Sequence, residues 1–495
     1  MGILLSIWQF FVDNILTKPH FLIGLIVFIG YALLKKPWYE ALAGFIKATV
    51  GYLILTVGSG GLTSNFRPII VGLRERFNLS AMVIDPYFGQ NAVQAAMEQA
   101  GKSFGDVMVL LLIAYVVNIL LVRFSKYTKM RAVFTTGNVQ IQQSATAFWL
   151  LFFCFPEMGR WEILIVMSIL LGLYWAVGSN LTVDITQELS EGAGFAIAHQ
   201  QMFATFANAK IAEKLRQRDE RKGKQASRRL EDIELPGWLS MFNENMVATG
   251  ILMTLFFGII LLLLGKPYLV EAEFMAATDN FFFYILETSL YFAVYLAILQ
   301  LGVRTFVGEL TESFNGISQT FLPNSVPGID VAATFGFGGQ NAVTIGFISG
   351  ALGQFLAILL LILFDSPTIV VAGFIPLFFD NAVIGVFANN RGGAKYTFIL
   401  PFINGIVQVV GSALIATWVG LAQYGGYLGM ADWATVWPVF TVIMKFLGII
   451  GIVVVALILI AIPQIQYRRN PEGYFLIVED YDAYEEQFLT PNDEL

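Results

Sequence analysis

Residues 84–93 read Ile84-Asp85-Pro86-Tyr87-Phe88-Gly89-Gln90-Asn91-Ala92-Val93. The same landmarks return in the second half, where Ile329-Asp330 is followed by Gly338-Gly339-Gln340-Asn341-Ala342-Val343. Upstream of each lies a third matching segment, Gly60-Gly61-Leu62-Thr63-Ser64-Asn65-Phe66 and Gly308-Glu309-Leu310-Thr311-Glu312-Ser313-Phe314. Three landmarks in one order on either side of a charged linker indicate an internal duplication. Repeats carrying Gly-broken, Asp-bearing hairpins place a binding site near the bilayer midplane, as transporters built on inverted repeats do.

The surrounding composition supports a membrane setting. Hydrophobic residues make up 57% of the 495-residue chain and charged residues 13%, against roughly 45–50% and 25% in soluble domains. Of the 29 basic and 36 acidic residues, 15 lie in Lys210–Glu234 and 10 in Arg468–Leu495. What remains cannot coat a water-soluble surface. The reading is an all-α polytopic membrane protein. Apolar runs long enough to be spans are Phe21–Leu34, Val107–Val122, Trp161–Val177, Met246–Leu264, Phe281–Phe306, Ala342–Phe364, Thr397–Gly420 and Phe440–Ile462. Three more are interrupted: Phe45–Val57 by Gly58-Ser59-Gly60-Gly61, Phe134–Phe155 by its amides, and Thr368–Ala388 by Pro376 and Asp380-Asn381. Broken helices persist at membrane depth where protein or a wet cavity satisfies the freed backbone groups.

The resulting organisation is an interfacial amphipathic helix over 1–18, a first transmembrane half over 19–209, a basic cytoplasmic linker over 210–235, a second half over 236–466 and an acidic cytoplasmic tail over 467–495. Residues 1–18 lack the basic start and small-residue cleavage site of a signal peptide. Basic loops at Lys35-Lys36, Arg123–Arg131 and Lys210–Arg229 mark the cytoplasmic side. The N-terminus then lies outside and the C-terminus inside, which requires an odd number of spans, about nine to eleven.

Several polar residues stand in apolar surroundings. Asp85 and Asp330 are costly there unless partnered or wet. Each either accepts hydrogen bonds from a ligand's hydroxyls or caps a broken helix. His199, Gln200 and Gln201 concentrate donors and acceptors within an apolar stretch. An imidazole beside amides suits a polyhydroxylated or enolic ligand. Asn138, Gln142 and Gln143 form a second amide cluster, alternatively interhelical glue. His20, after Pro19, reads as an interface residue, and Arg304, Glu309 and Glu312 as a structural ion-pair set. Cys154, the single cysteine, reads as packing. No P-loop, zinc-ligand spacing or Gly-x-Ser-x-Gly elbow appears, so no cofactor, no metal and no self-contained catalytic centre are expected. Nothing suggests nucleic-acid binding.

At these residues the chain resembles the ascorbate-specific membrane permease (IIC) component of the bacterial phosphoenolpyruvate-dependent phosphotransferase system. The matching stretches are Gly58–Pro68, Gln187–Phe203, Leu235–Phe257, Phe314–Phe321, Gly373–Gly393 and Gly429–Trp433. The resemblance implies an inner-membrane homodimer of eleven spans per subunit, with a moving core domain and a V-shaped dimerisation domain. It implies ligand residues Ser59, Tyr87, Gln142, His199, Gln200 and Asp330. Two places depart from the family pattern: Asn138 stands where a Thr-Gly-His motif usually has histidine, and the segment 85–93 differs. An amide hydrogen-bonds a hydroxyl but carries no positive charge.

The mechanism this implies is elevator-like alternating access. A cytoplasmic IIB phosphocarrier, itself served by IIA, donates the phosphoryl group. The permease is then the transport subunit of a multi-protein phosphotransferase. The competing reading is an ion-coupled secondary transporter for an organic anion, and a receptor without transport is a third.

Overall fold

The computed structural model describes residues 10, 14–15, 18–76, 81–224, 227–233 and 244–489. The amphipathic helix expected over 1–18 falls almost wholly outside them. Helix dominates, because long apolar stretches must satisfy their backbone groups internally. The elements of the first half are α1 (Pro19–Leu33), α2 (Trp38–Arg76), β1 (Ala81–Ile84), α3 (Pro86–Gln99), α4 (Gly105–Arg123), β2 (Ala132–Phe134), α5 (Gly137–Cys154), α6 (Arg160–Ser190), β3 (Ala196–Ile197) and α7 (Met202–Arg221). The second half has α8 (Asn245–Leu264), α9 (Phe281–Thr320), β4 (Val326–Ile329), α10 (Gln340–Leu363), β5 (Ile369–Ala372), α11 (Asn381–Gly392), α12 (Ala394–Trp418), β6 (Gly426–Tyr427), α13 (Ala431–Leu447), α14 (Ile449–Arg469) and α15 (Gly473–Glu479). Among the described residues, seven helices are long and apolar enough to cross a membrane, and two shorter apolar ones accompany them. Exposed leucines recur at helical spacing, as at Leu352, Leu356, Leu359 and Leu363 on α10. Such a face needs lipid rather than water. The protein is a multi-pass membrane protein.

Six short strands among the described residues are the departure from an all-helical reading. They form two three-stranded parallel sheets, ordered β5-β1-β6 and β2-β4-β3. In each sheet the central strand comes from one half of the chain and both outer strands from the other. Registers pair Ile84 with Ala372 and Tyr427 in one sheet, and Gly328 with Phe134 and Ala196 in the other. The duplicated Ile-Asp landmarks therefore end the two central strands. At two to four residues each, the strands are too short for a period-2 signal.

Two further expectations change. The break expected at Gly58–Gly61 is absent, and α2 runs through these residues as one helix of 39 residues. The glycines serve close packing instead. A Cβ on Gly58 would strike the α9 backbone at Tyr295 and Leu299, and one on Gly302 would strike that of α2 at Leu55. Conversely, the single span expected over Phe440–Ile462 is divided at Gly448, whose φ of +61° suits glycine.

The helices α1, α2, α8 and α9 pack on one another, and an aromatic cluster ties them to the sheet-bearing part. Phe66 of α2 lies 4.3 Å from Phe257 of α8, and Phe292 of α9 stacks on Phe347 of α10 at 5.5 Å. Glu309 and Glu312 pair with Lys47 and Lys36 rather than with Arg304 as expected, and both carboxylates lie within hydrogen-bond distance of the Tyr31 hydroxyl, at 2.7 and 2.8 Å. The linker is anchored on the helix ends. Lys395 Nζ pairs with Asp219 Oδ2 at 2.6 Å, and Ala394 N–H donates to the Arg228 carbonyl. Hydrogen bonds from Lys395 and Tyr396 hold the Asp219 carboxyl down at about 2, so it stays ionised near neutral pH.

Candidate substrate site

The second sheet builds the floor of a cavity. Because its strands are parallel, β2, β3 and β4 deliver the residues that follow them to one edge. Thr135, His199 and Asp330 follow the three strands there, a position at which α/β proteins commonly hold ligands. His199 does not sit within a continuous apolar span as the sequence suggests. It lies in the turn between β3 and α7, where its backbone is free to be held from several sides.

Those constraints are specific. Gln143 Nε2 donates to the His199 carbonyl at 3.2 Å, while Gln143 Oε1 accepts from Trp175 Nε1 at 2.7 Å. Gln201 Oε1 accepts from the Gln200 N–H at 2.9 Å and lies 2.6 Å from His199 Nδ1. An oxygen already accepting one N–H identifies Nδ1 as the protonated nitrogen. His199 Nε2 therefore faces outward, 4.0 Å from Asp330 Oδ2. Asp330 Oδ1 meanwhile accepts from the Ala332 N–H at 2.9 Å and caps the short turn that follows. Gln200 Nε2 donates to Gln142 Oε1 at 2.8 Å. This leaves the Gln142 amide hydrogens for the cavity, and the buried Gln200 Oε1 has no hydrogen-bond partner among the described residues.

Asp432, which sequence reasoning did not single out, fixes the start of α7 just beyond this turn. It is fully buried and accepts from Phe203 N–H (3.0 Å), Ala204 N–H (2.8 Å) and the Tyr174 hydroxyl (2.7 Å). A second buried carboxylate, Asp380, accepts from Gln408 Nε2 and the Ala431 N–H and holds the start of α13. Both compensate helix N-termini that the discontinuous fold leaves open.

The cavity has a volume of about 520 Å³, within the roughly 300–1,000 Å³ range of small-molecule sites. It joins Gln142, His199, Gln200 and Asp330 with Ser59 and Tyr87. Asp85 and Gln143 do not line it. Asp85 is fully buried, accepts from the Tyr87 N–H at 3.0 Å and caps α3, with Gly373 packed against its carboxylate. Gln143 serves as the support of His199. Asn138 lies in the first turn of α5, and its side chain is outside the described ones.

Other lining residues escaped the sequence reading. Tyr52, Thr56 and Thr63 join Ser59 as a hydroxyl stripe along α2. Their i, i+4, i+7, i+11 spacing is a legible helical signal. His20, read as an interface residue, also lines the cavity. Ile375 and Phe379, from the broken segment before α11, supply apolar wall, the Phe379 ring lying 6.4 Å from His199.

Residues 14–436 match the family described as PTS system sugar-specific permease component (EIIC-GAT). This chain belongs to that family. The match covers every residue that lines the cavity and stops within α13, so the C-terminal tail lies beyond it. The permease is also similar to a Mycoplasma pneumoniae protein named ascorbate-specific PTS system EIIC component. The two are 30% identical over 445 residues, 82% of this chain and 66% of the relative. The chain thus spans about two thirds of that relative's length.

Proposed function

We propose that this permease takes up ascorbate, or a closely related sugar-like anion, and presents it for phosphorylation by a separate cytoplasmic IIB protein recharged by IIA. The observation that carries the reading is the convergence of His199, Gln200 and Gln142 from the first half with Asp330 from the second on one cavity. The name of the Mycoplasma relative points the same way. Chemically the floor suits a polyhydroxylated ring. Asp330, Gln200 Oε1 and His199 Nε2 accept from hydroxyls, and the Gln142 amide donates to ring or enol oxygen. Phosphoryl transfer then needs from the permease mainly that one hydroxyl be held in line with the phosphocysteine of IIB.

The architecture proposed with it has eleven spans, the N-terminus outside and the C-terminus in the cytoplasm of the bacterial inner membrane. The reciprocal strand exchange between the two sheets supports an inverted repeat. In the homodimer, α1, α2, α8 and α9 belong to the V-shaped dimerisation domain. The sheet-bearing part is the core that moves as an elevator. Calorimetric binding by the purified protein tests the substrate. Ascorbate is expected to bind and a hexitol to compete weakly; tight hexitol binding with no ascorbate binding would reassign the substrate.

A further inference from the structure

The chain contains two histidines, and both line the cavity. Ascorbate is a monoanion at neutral pH, so its site must set a donor against the oxygen that carries the charge. Among the described lining residues none is lysine or arginine. His199 cannot supply that donor uncompensated. Its Nδ1–H is committed to Gln201, and its Nε2 faces Asp330 at 4.0 Å. Neutral, it presents an acceptor lone pair; protonated, it is balanced by the Asp330 carboxylate. The floor therefore accepts hydroxyls well and offers an anionic oxygen chiefly the neutral Gln142 amide.

His20 stands on a different wall. It lies in the first turn of α1, and α1 is locked against α2 by close contacts of Gly24 with Thr49 and Phe45, and of Gly44 with Val27 and Tyr31. Its ring tilts against Phe21 at 4.3 Å, and its nitrogens have no hydrogen-bond partner among the described residues. Lys18, exposed at the N-cap of the same helix, adds positive potential without lining the cavity.

We propose that His20 determines selectivity for an anionic substrate, donating a ring N–H to its anionic oxygen while His199, Gln200 and Asp330 hold its hydroxyls. The proposal rests on the ascorbate reading above. It also gives the substrate contacts to two separately packed parts of the molecule, α1–α2 and the second sheet.

The test is calorimetric binding at pH 7 of ascorbate and of a neutral sugar lactone of the same ring size, using the purified full-length protein. His20→Ala is expected to weaken ascorbate roughly tenfold, the size of one charge-assisted hydrogen bond, and to leave the lactone within about twofold. His20→Lys is expected to keep the preference for the anion, and His199→Ala to weaken both ligands. Thermal unfolding of each variant reports folding, and His20→Gln serves where His20→Ala unfolds. Equal weakening of both ligands by His20→Ala, or of neither, overturns the proposal while wild-type ascorbate binding stands. Wild-type protein that binds no ascorbate overturns the substrate reading and this proposal together.

Discussion

His199 is held by its carbonyl, through Gln143, and by its Nδ1, through Gln201. Its outward nitrogen is thereby set before Asp330 in advance of any ligand. His199→Ala and Asp330→Asn should each weaken ascorbate binding by about 1–3 kcal/mol, the range for losing hydrogen bonds to a charged or buried group. The double variant should lose less than the sum, because the two share one ligand and face each other. Asp85→Asn should leave binding unchanged and cost stability little, since Asn caps nearly as well as Asp. Calorimetry with thermal unfolding separates these outcomes, and a binding loss in Asp85→Asn matching that of Asp330→Asn would contradict the assignment. In sequence the two aspartates are equivalent: each follows Ile at the end of a repeat landmark. What separates them is the neighbour over the carboxylate, the Gly373 backbone for one and open cavity for the other. No local pattern reports that. His199, Gln200 and Gln142 were legible because polar side chains in apolar stretches are conspicuous. His20 was not, because a histidine beside a helix-starting proline looks like any interface residue.

Among the elements, the tail is the least expected. Arg131 at the foot of β2 is fully buried. It pairs with Asp184 at 2.7 Å, donates to the Tyr474 carbonyl at 2.6 Å and lies 3.6 Å from the Tyr474 ring centre. The Tyr474 hydroxyl donates to the Lys129 carbonyl and accepts from Asn180. Ile477 and Tyr484 bury themselves against Ala132, Ala196 and Val326, the far ends of the same three strands whose near ends carry the site. Tyr474→Ala would leave the backbone carbonyl and Asp184 on Arg131 but remove the ring over the guanidinium and the hydroxyl between Lys129 and Asn180, a loss of about 3–5 kcal/mol for truncating a buried aromatic. A lowered unfolding midpoint in detergent is expected, and an unchanged one would show that the tail is not integral to the sheet. From composition the tail read only as acidic, because its apolar residues are few and irregularly spaced. The opposite error occurred in α2. Glycine costs about 1 kcal/mol in a helix interior, which suggested a break at Gly58–Gly61. The approach of α9, possible only without a Cβ, offsets that cost. Gly58→Leu should accordingly destabilise the α2–α9 crossing far more than Gly60→Leu, whose Cβ would meet nothing; equal unfolding midpoints for the two variants would contradict this.

For the whole molecule, the polytopic class and the pairing of landmarks were readable from composition and repetition. The exchange of strands between the halves was not, since it depends on contacts hundreds of residues apart. The reciprocal sheets give each half part of the other's central strand environment, so neither half is expected to fold alone. The linker between the halves carries nine of its basic residues within Lys210–Arg229 and should lie in the cytoplasm. Ser227→Cys should resist an impermeant thiol reagent applied outside intact cells, and efficient labelling would invert the topology. The central claim is that uptake is driven by phosphoryl transfer rather than by an ion gradient. Its most direct test is accumulation of labelled ascorbate in vesicles containing this permease, with phospho-IIB supplied or withheld. The account predicts accumulation as a phosphorylated product that requires phospho-IIB and survives a proton or sodium ionophore. Accumulation of unmodified ascorbate that persists without phospho-IIB and collapses with the ionophore would contradict it and establish an ion-coupled transporter instead.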